Sequence, residues 1–441
     1  MTSIQTPIIQ TKQSMDGMDA APGQGTLFER TSIPPNYGRD KTSSNLTKSL
    51  PEQATSNIVV QSNVDNQIDE DLPRLIYRMP NTAFGIPMGL AGHAIMWKSM
   101  RTASFVVNTI NINTVDTINI ICWYLACVVS LFIAILYAYK FYASFPLVMA
   151  EWLNEVRGHF FNAPNLIFIM LLIGTPNYMN VPNENLRILW ALAFCYQIIM
   201  THCIYKAWMF SKRRNFTEAK PQFLMSTVGW FLLATFGQLC EIRKQWGIGL
   251  PQMCFGAGFI LYIDIVIFIF GKLHENRGMK GSPGMFLLIA PPSVGVVSLD
   301  LLNDGASDFS QSGEMLLGWV FVLLLLLFGL GPILWRSPSV LGEYWAYVFP
   351  LAAATTATIR YAAALQTEAT VGLALIMIVI AVLSLLMVLG RMSFHIYRCF
   401  QGKAQYKDPL FRIEKYCTRQ LCLPKRNNSN DEAIPGAFVS I

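Results

Sequence analysis

Val371-Gly-Leu-Ala-Leu-Ile-Met-Ile-Val-Ile-Ala-Val-Leu-Ser-Leu-Leu-Met-Val-Leu389 runs without a charged side chain. A helix needs about 20 mostly apolar residues to cross the hydrocarbon core of a bilayer, and this stretch has that length and composition. Runs of the same kind recur upstream, from about Ala83 to Ile396. Ten can be drawn, at 83–100, 117–141, 162–176, 186–210, 221–240, 248–273, 284–300, 314–335, 344–365 and 368–396. They predict an all-α polytopic membrane protein with ten transmembrane helices. The composition agrees: 53% of the 441 residues are apolar and 14% charged, which does not fit a water-exposed surface.

Outside these runs the chain changes character. Residues 1–78 are rich in Ser, Thr, Gln, Asn and Pro, without a sustained apolar period. Such a segment cannot bury enough surface to offset its ordering entropy, so it is expected to be a disordered tail. It contains no basic start leading into a short apolar core, so no cleaved secretory signal is expected. Residues 79–398 form the expected ten-helix membrane domain, and residues 399–441 a basic tail with Lys403, Lys407, Arg412, Lys415, Arg419, Lys425 and Arg426.

An even number of spans puts both tails on one side. The connections on that side carry about ten Lys or Arg against about five on the other, which makes the tails cytoplasmic by the positive-inside rule. Lys212, Arg213, Arg214, Lys220, Lys272, Arg277 and Lys280 dominate that count. The formal charge of +6 is therefore read as a topology signal and not as a nucleic-acid surface. The cysteines lie in or beside apolar runs or in the tail, without a CxxC pair, and are expected to be reduced thiols. No H-E-x-x-H, G-x-S-x-G or P-loop occurs, so neither an enzyme nor a resident metal or cofactor is expected.

Odd and even runs differ in kind. The odd ones carry Gly and Pro in or beside them: Phe84-Gly-Ile-Pro87, Asn162-Ala-Pro164-Asn165, Pro221 with Gly229, Ile289-Ala-Pro291-Pro292 and Phe349-Pro350. Several even ones are long and uniformly apolar. Broken backbone at membrane depth is tolerated only where protein or a water-filled cavity surrounds it. This places the odd helices inside and the even ones outside, as five helical hairpins around a central pore. Phe84, Pro87, Pro164, Gly229, Pro291, Pro292 and Pro350 are the expected pore-lining or kink positions.

Few ionisable groups fall on the odd runs. His93 lies in the first, Asp300 at the outer end of the seventh, and Glu343 and Arg360 at the edges of the ninth. A bore built of Gly, Ala, Ser, Thr and Phe without acidic rings fits an anion pathway better than a cation filter. His93 is either a proton-sensitive pore group or a neutral helix-helix hydrogen-bonding partner. Arg360 either attracts anions or snorkels to the headgroups.

Several blocks resemble the slow-type anion channels of plants, within the wider tellurite-resistance/dicarboxylate transporter superfamily. They are Phe84-Gly-Ile-Pro-Met-Gly-Leu90 with Ala94-Ile-Met-Trp97-Lys98, and Glu155-Val-Arg-Gly-His-Phe-Phe-Asn-Ala-Pro164. Met285-Phe-Leu-Leu-Ile-Ala-Pro-Pro-Ser293 and Tyr344-Trp-Ala-Tyr-Val-Phe-Pro350 with Ala357-Thr-Ile-Arg-Tyr361 complete the set. The resemblance implies five hairpins around a pore, a homotrimer with one pore per protomer, and passive flux of small anions such as chloride and nitrate. It also implies that Phe349 obstructs the pore as its gate. An aromatic ring beside a proline that removes a backbone donor can block a path without supplying charge; read from the residues alone, Phe349 fits core packing as well.

The expected partners are small inorganic or organic anions, membrane lipid, further copies of the chain and a regulatory protein kinase. Thr42, Ser43 and Ser44 follow Arg39-Asp-Lys41 in the N-terminal tail and are the candidate phosphorylation sites; an ordinary solvated tail fits them equally. The expected location is the plasma membrane, with both termini cytoplasmic. A proton-coupled dicarboxylate or sulfite transporter of the same fold is the alternative, with His93 as its one candidate coupling group.

Overall fold

The computed structural model describes residues 79–103, 105, 111–154, 156–179, 181–209, 220–247, 249–275, 283–303, 309–330 and 344–400. The chain divides into two units, Met1–Gln67 and Ile68–Ile441, and the first lies outside the described residues. So do the expected tails up to residue 78 and from 401 onward, including Thr42, Ser43 and Ser44, and the basic loops around Arg213 and Arg277.

The described residues are helical, with no strand among them. In chain order the helices are α1 (Gly85–Met100), α2 (Ile112–Ala143), α3 (Phe145–Leu153), α4 (Ala163–Ile173), α5 (Asn183–Met209) and α6 (Leu224–Leu239). They continue with α7 (Ile242–Trp246), α8 (Leu250–Glu275), α9 (Ala290–Leu302), α10 (Gln311–Gly329), α11 (Trp345–Leu365) and α12 (Glu368–Phe400).

Among the described residues, seven segments are long and apolar enough to cross a membrane: α2, α5, α8, Pro283–Leu302, α10, α11 and α12. An eighth results if the bent pair Phe145–Leu153 and Arg157–Ile173 counts as one. The expected spans at 83–100, 162–176 and 221–240 correspond to α1, α4 and α6, which are only 16, 11 and 16 residues long.

The shortness has a local cause. The 3-10 turns Asn81–Phe84, Arg157–Asn162, Pro221–Phe223 and Pro283–Leu288 lead into α1, α4, α6 and α9. Proline is tolerated in a first turn because its missing N–H is one that a helix start leaves unpaired anyway. Pro164, Pro291 and Pro292 occupy such positions. Pro350 differs, since it lies within the continuous helix α11.

Burial separates two classes of helix. Pro283–Leu302 and α11 are 78% and 72% buried, whereas the apolar windows of α2 and Asn183–Trp208 are 17% and 22% buried. In α6 all but Trp230, Gln238 and Leu239 are buried. The packing order follows the same division. Helix α1 packs on α4, α4 on α6, α6 on α9, α9 on α11 and α11 on α1, and each of these also packs on the long helix that follows it: α2, α5, α8, α10 and α12. The long helices turn large apolar side chains outward, Val128, Leu131, Ile260, Leu325 and Leu383 among them.

Polar groups pin the long helices to the short ones. Asn119 of α2 donates through Nδ2 to the Ala94 carbonyl at 2.7 Å, and Trp123 donates to the Leu171 carbonyl at 2.8 Å. Gln197 of α5 donates to the Ser226 carbonyl at 2.8 Å and accepts from Asn165 at 3.1 Å. Thr355 of α11 donates to the Met377 carbonyl of α12 at 3.0 Å. Glycine permits close approach, since a Cβ added at Gly89 of α1 would lie 2.9 Å from Cε3 of Trp345.

Helix α3 was not expected from sequence. It carries Glu151, whose Oε1 accepts from Lys140 Nζ at 3.0 Å and Arg157 NH1 at 2.9 Å, while Oε2 accepts from the Tyr137 hydroxyl at 2.7 Å. The charged side chains are at most 5% exposed. Lys140 also donates to the Met79 carbonyl, and Asn81 to the Arg157 carbonyl. One carboxylate thus joins the end of α2, α3, the approach to α4 and the segment before α1.

Two stability effects follow. Gly89→Ala should destabilise the folded chain by about 1–3 kcal/mol, the usual range for overpacking, and lower its thermal midpoint in detergent. Gly256→Ala, where nothing lies within 4 Å of the added carbon, should not; equal midpoints would contradict the close packing of α1 on α11. Glu151→Gln should destabilise by about 3–5 kcal/mol, because it leaves buried cations without their shared anion, and Tyr137→Phe by only about 1 kcal/mol. Equal unfolding midpoints for these last two would show that the carboxylate does not organise the junction.

Candidate functional site

A cavity of about 220 Å³ lies among α1, α4, α6 and α9, the short helices, together with the buried 21-residue helix α11. Each of the five contributes: Gly92, Ile95 and Lys98 from α1; Met170 and Ile173 from α4; Leu232 and Thr235 from α6; Val294 and Val297 from α9; Phe349, Thr356 and Arg360 from α11.

One end of the cavity is aromatic. Phe349 is 2% exposed, and its Cδ2 would be 3.2 Å from a Cβ at Gly92, with Met170 Cε at 3.5 Å from the same point. Gly92 therefore makes room for the ring. One turn earlier on α1, Gly89 meets Trp345. Nearby, the helix starts are packed with rings: Phe286 against Tyr347 at 4.6 Å and His159 stacked on Phe223 at 3.8 Å.

The wall between the ends carries no charge. Its hydroxyls bond nearby groups of the protein: Ser99 donates to the Ile95 carbonyl, Thr102 to the Ser99 carbonyl and Thr356 to the Ala352 carbonyl, while Thr235 lies within hydrogen-bond distance of the Phe231 carbonyl and of the Ser298 hydroxyl of α9. A hydroxyl has one proton to donate. Those protons have acceptors within the protein.

The other end is the charged one. Lys98 Nζ donates to the Ile173 carbonyl at 2.9 Å, and Arg360 NH1 donates to Asp300 Oδ2 at 2.6 Å. Two cations and one carboxylate therefore stand at this end, on the C-terminal turns of α1, α11 and α9.

Of the residues singled out from sequence, Phe349 and Arg360 line this cavity. Phe84, Pro87, His93, Pro164, Gly229, Pro291, Pro292 and Pro350 are not among its lining residues. Phe84 packs edge-on against Tyr137 at 5.8 Å. A Cβ at Gly229 would meet the Gln197 amide at 2.4 Å, so this glycine serves the approach of α5. His93 is fully buried, and neither ring nitrogen has a hydrogen-bond partner among the described residues. Pro164 is exposed, whereas Pro87, Pro291, Pro292 and Pro350 are buried.

Sequence reasoning passed over Lys98, which ends an apolar run and reads as a flanking charge.

A family model described as voltage-dependent anion channel, SLAC1, matches residues 78–393. Among curated proteins, the S-type anion channel SLAH2 of Arabidopsis thaliana is 26% identical over 336 residues, covering 75% of this chain and 61% of the relative. S-type anion channel SLAH3 of the same plant is 28% identical over 71% of this chain and 48% of its own length. The guard cell S-type anion channel SLAC1 is 24% identical over 67% and 52%. The chain thus spans about half to three-fifths of the length of these three relatives. With its apolar helices of membrane-crossing length, it is a multi-pass integral membrane protein. The matched region takes in all five cavity-lining helices, and the chain belongs to the voltage-dependent anion channel family.

Proposed function

We propose that the chain is a passive anion channel whose path follows the cavity among α1, α4, α6, α9 and α11 and is gated by Phe349. The observation that carries this reading is the cavity itself: a neutral wall from all five helices, cations at one end and an aromatic ring at the other. Cation channels place acidic rings on their paths, and no Asp or Glu is among the described residues that line this cavity. The relatives named as S-type anion channels support the same choice. The proton-coupled alternative has His93 as its candidate coupling group, and His93 is not among the described residues that line the cavity.

In this reading ten helices cross the membrane as five hairpins, with the cavity-lining helices inner, the long ones outer and lipid against the apolar faces of the latter. The greater number of Lys and Arg in the even-to-odd connections favours cytoplasmic termini, which puts Lys98 and Arg360 toward the outer side. The plasma membrane, a homotrimer with one pore in each protomer, and a kinase acting on Thr42, Ser43 or Ser44 complete the proposal; family resemblance supports the trimer, and the basic residues before Thr42 support the kinase. Chloride and nitrate are the proposed ions, because a wall without free donors suits small, weakly held anions.

Phe349→Ala tests the gate. It removes a steric barrier without adding charge, so anion current per surface protein should rise while the reversal potential in a chloride gradient stays where it was. Truncating a packed aromatic side chain of no other role should instead cost about 3–5 kcal/mol and lower surface abundance. Unchanged or smaller current at normal abundance would reject the gate assignment.

A further inference from the structure

The Arg360–Asp300 pair has a geometry that the channel reading leaves unused. It joins α11 to α9 at 2.6 Å, with side chains 23% and 24% exposed, so water and small ions can reach it while it is partly shielded from bulk solvent. Arg360 lines the cavity; Asp300 is not among the lining residues and approaches the guanidinium from α9. Arg360 Nε is buried and has no hydrogen-bond partner among the described residues. Lys98 stands in the same cavity, with one of its three donors on the Ile173 carbonyl.

A purely structural bridge is not needed at this place. Val296, Val297 and Ala357 already form a buried apolar cluster with Phe309 and Leu317, and Tyr361 packs edge-on against Phe309 at 5.2 Å. These contacts join the ends of α9 and α11 without the ion pair.

We propose that Asp300 is a tethered competitor of the permeant anion: its carboxylate occupies Arg360, and a small inorganic anion entering the cavity must share or displace it, with Lys98 as the second cationic arm. This inference rests on the anion-channel reading above and names what sets its affinity. An uncompensated pair of cations beside a low-dielectric wall would hold an anion tightly. Conduction needs binding weak enough to release. A fixed carboxylate supplies that weakening locally and, unlike a free counter-ion, cannot diffuse away.

The test uses the purified full-length chain in detergent. Sodium nitrate is titrated against sodium gluconate at constant ionic strength, and the half-saturating concentration is read from the rise in thermal midpoint, since a ligand that binds the folded state stabilises it. Asp300→Asn should lower that concentration about three- to tenfold, and Arg360→Gln and Lys98→Gln should raise it by a similar factor. Asp300→Asn added to Arg360→Gln should change little, because there is no longer a guanidinium to release. Asp300→Ser serves if the Asn variant is poorly folded.

If Asp300→Asn and Arg360→Gln both weaken binding, the pair is a structural bridge and the proposal fails. If Asp300→Asn strengthens binding equally with and without Arg360, the carboxylate acts through the general field and the proposal fails as well. An absence of saturable stabilisation by nitrate in the parent would remove the site altogether. The readout does not require current, so a chain that binds nitrate in this pattern but conducts no anion would overturn the channel reading and leave the competitor standing.

Discussion

Lipid offers no hydrogen bonds, and four of the five cavity-lining helices begin with backbone that needs them. A 3-10 turn or a proline at a helix start leaves amides and carbonyls that water, protein or a neighbouring side chain must meet. The turns before α1, α4, α6 and α9 therefore have to lie where protein surrounds them. The long helices α2, α5, α8, α10 and α12 satisfy their own backbone internally and can bear an apolar exterior. From this one constraint follow the burial of the short helices, the outward apolar faces of the long ones, and the polar pins that hold the two classes together.

The same constraint explains what kind of cavity results. Helices that pack around a common centre through Gly89, Gly92 and small side chains come close at their starts, where Trp345 and Phe349 fill the space left. Farther along, the cavity is walled by Thr, Ser, Leu and Val, whose hydroxyls bond nearby groups of the protein. Charge is admitted only at the C-terminal turns, where Lys98 meets the carbonyl end of α4, the negative end of a helix dipole. Neutral wall, aromatic end and cationic end are thus consequences of where polar groups can be satisfied.

The class of fold was legible in the sequence because apolar runs such as 371–389 have the length a bilayer demands, and the difference between short and long helices was legible because proline and glycine mark where backbone is irregular. Arg360 stood out as a charge at a run's end and Phe349 through the family resemblance, since the residues alone fit core packing as well; both line the cavity. What could not be read was which residues meet across the fold. Gly229 reads as a hinge, yet it is the space for the Gln197 amide. Lys140 lies at the end of an expected span, Glu151 and Arg157 lie in a stretch that looks like an ordinary loop, and only their convergence gives α3 its place. Pro164, Pro291 and Pro292 read as kinks but sit at helix starts, a difference of a few residues that hydropathy does not resolve.

The central claim is that anions pass among the five cavity-lining helices of a single chain, along the wall that bears Thr356. It is tested most directly by covalent obstruction. Thr356→Cys is introduced into the Phe349→Ala background, and anion current is recorded before and after a sulfonate-bearing thiosulfonate reagent, with the Phe349→Ala parent as control for the native thiols. The account predicts that the modified channels lose most of their current, that a reductant restores it, and that the parent is unaffected. Current that persists after complete labelling of the introduced cysteine would place the anion path elsewhere and contradict the account.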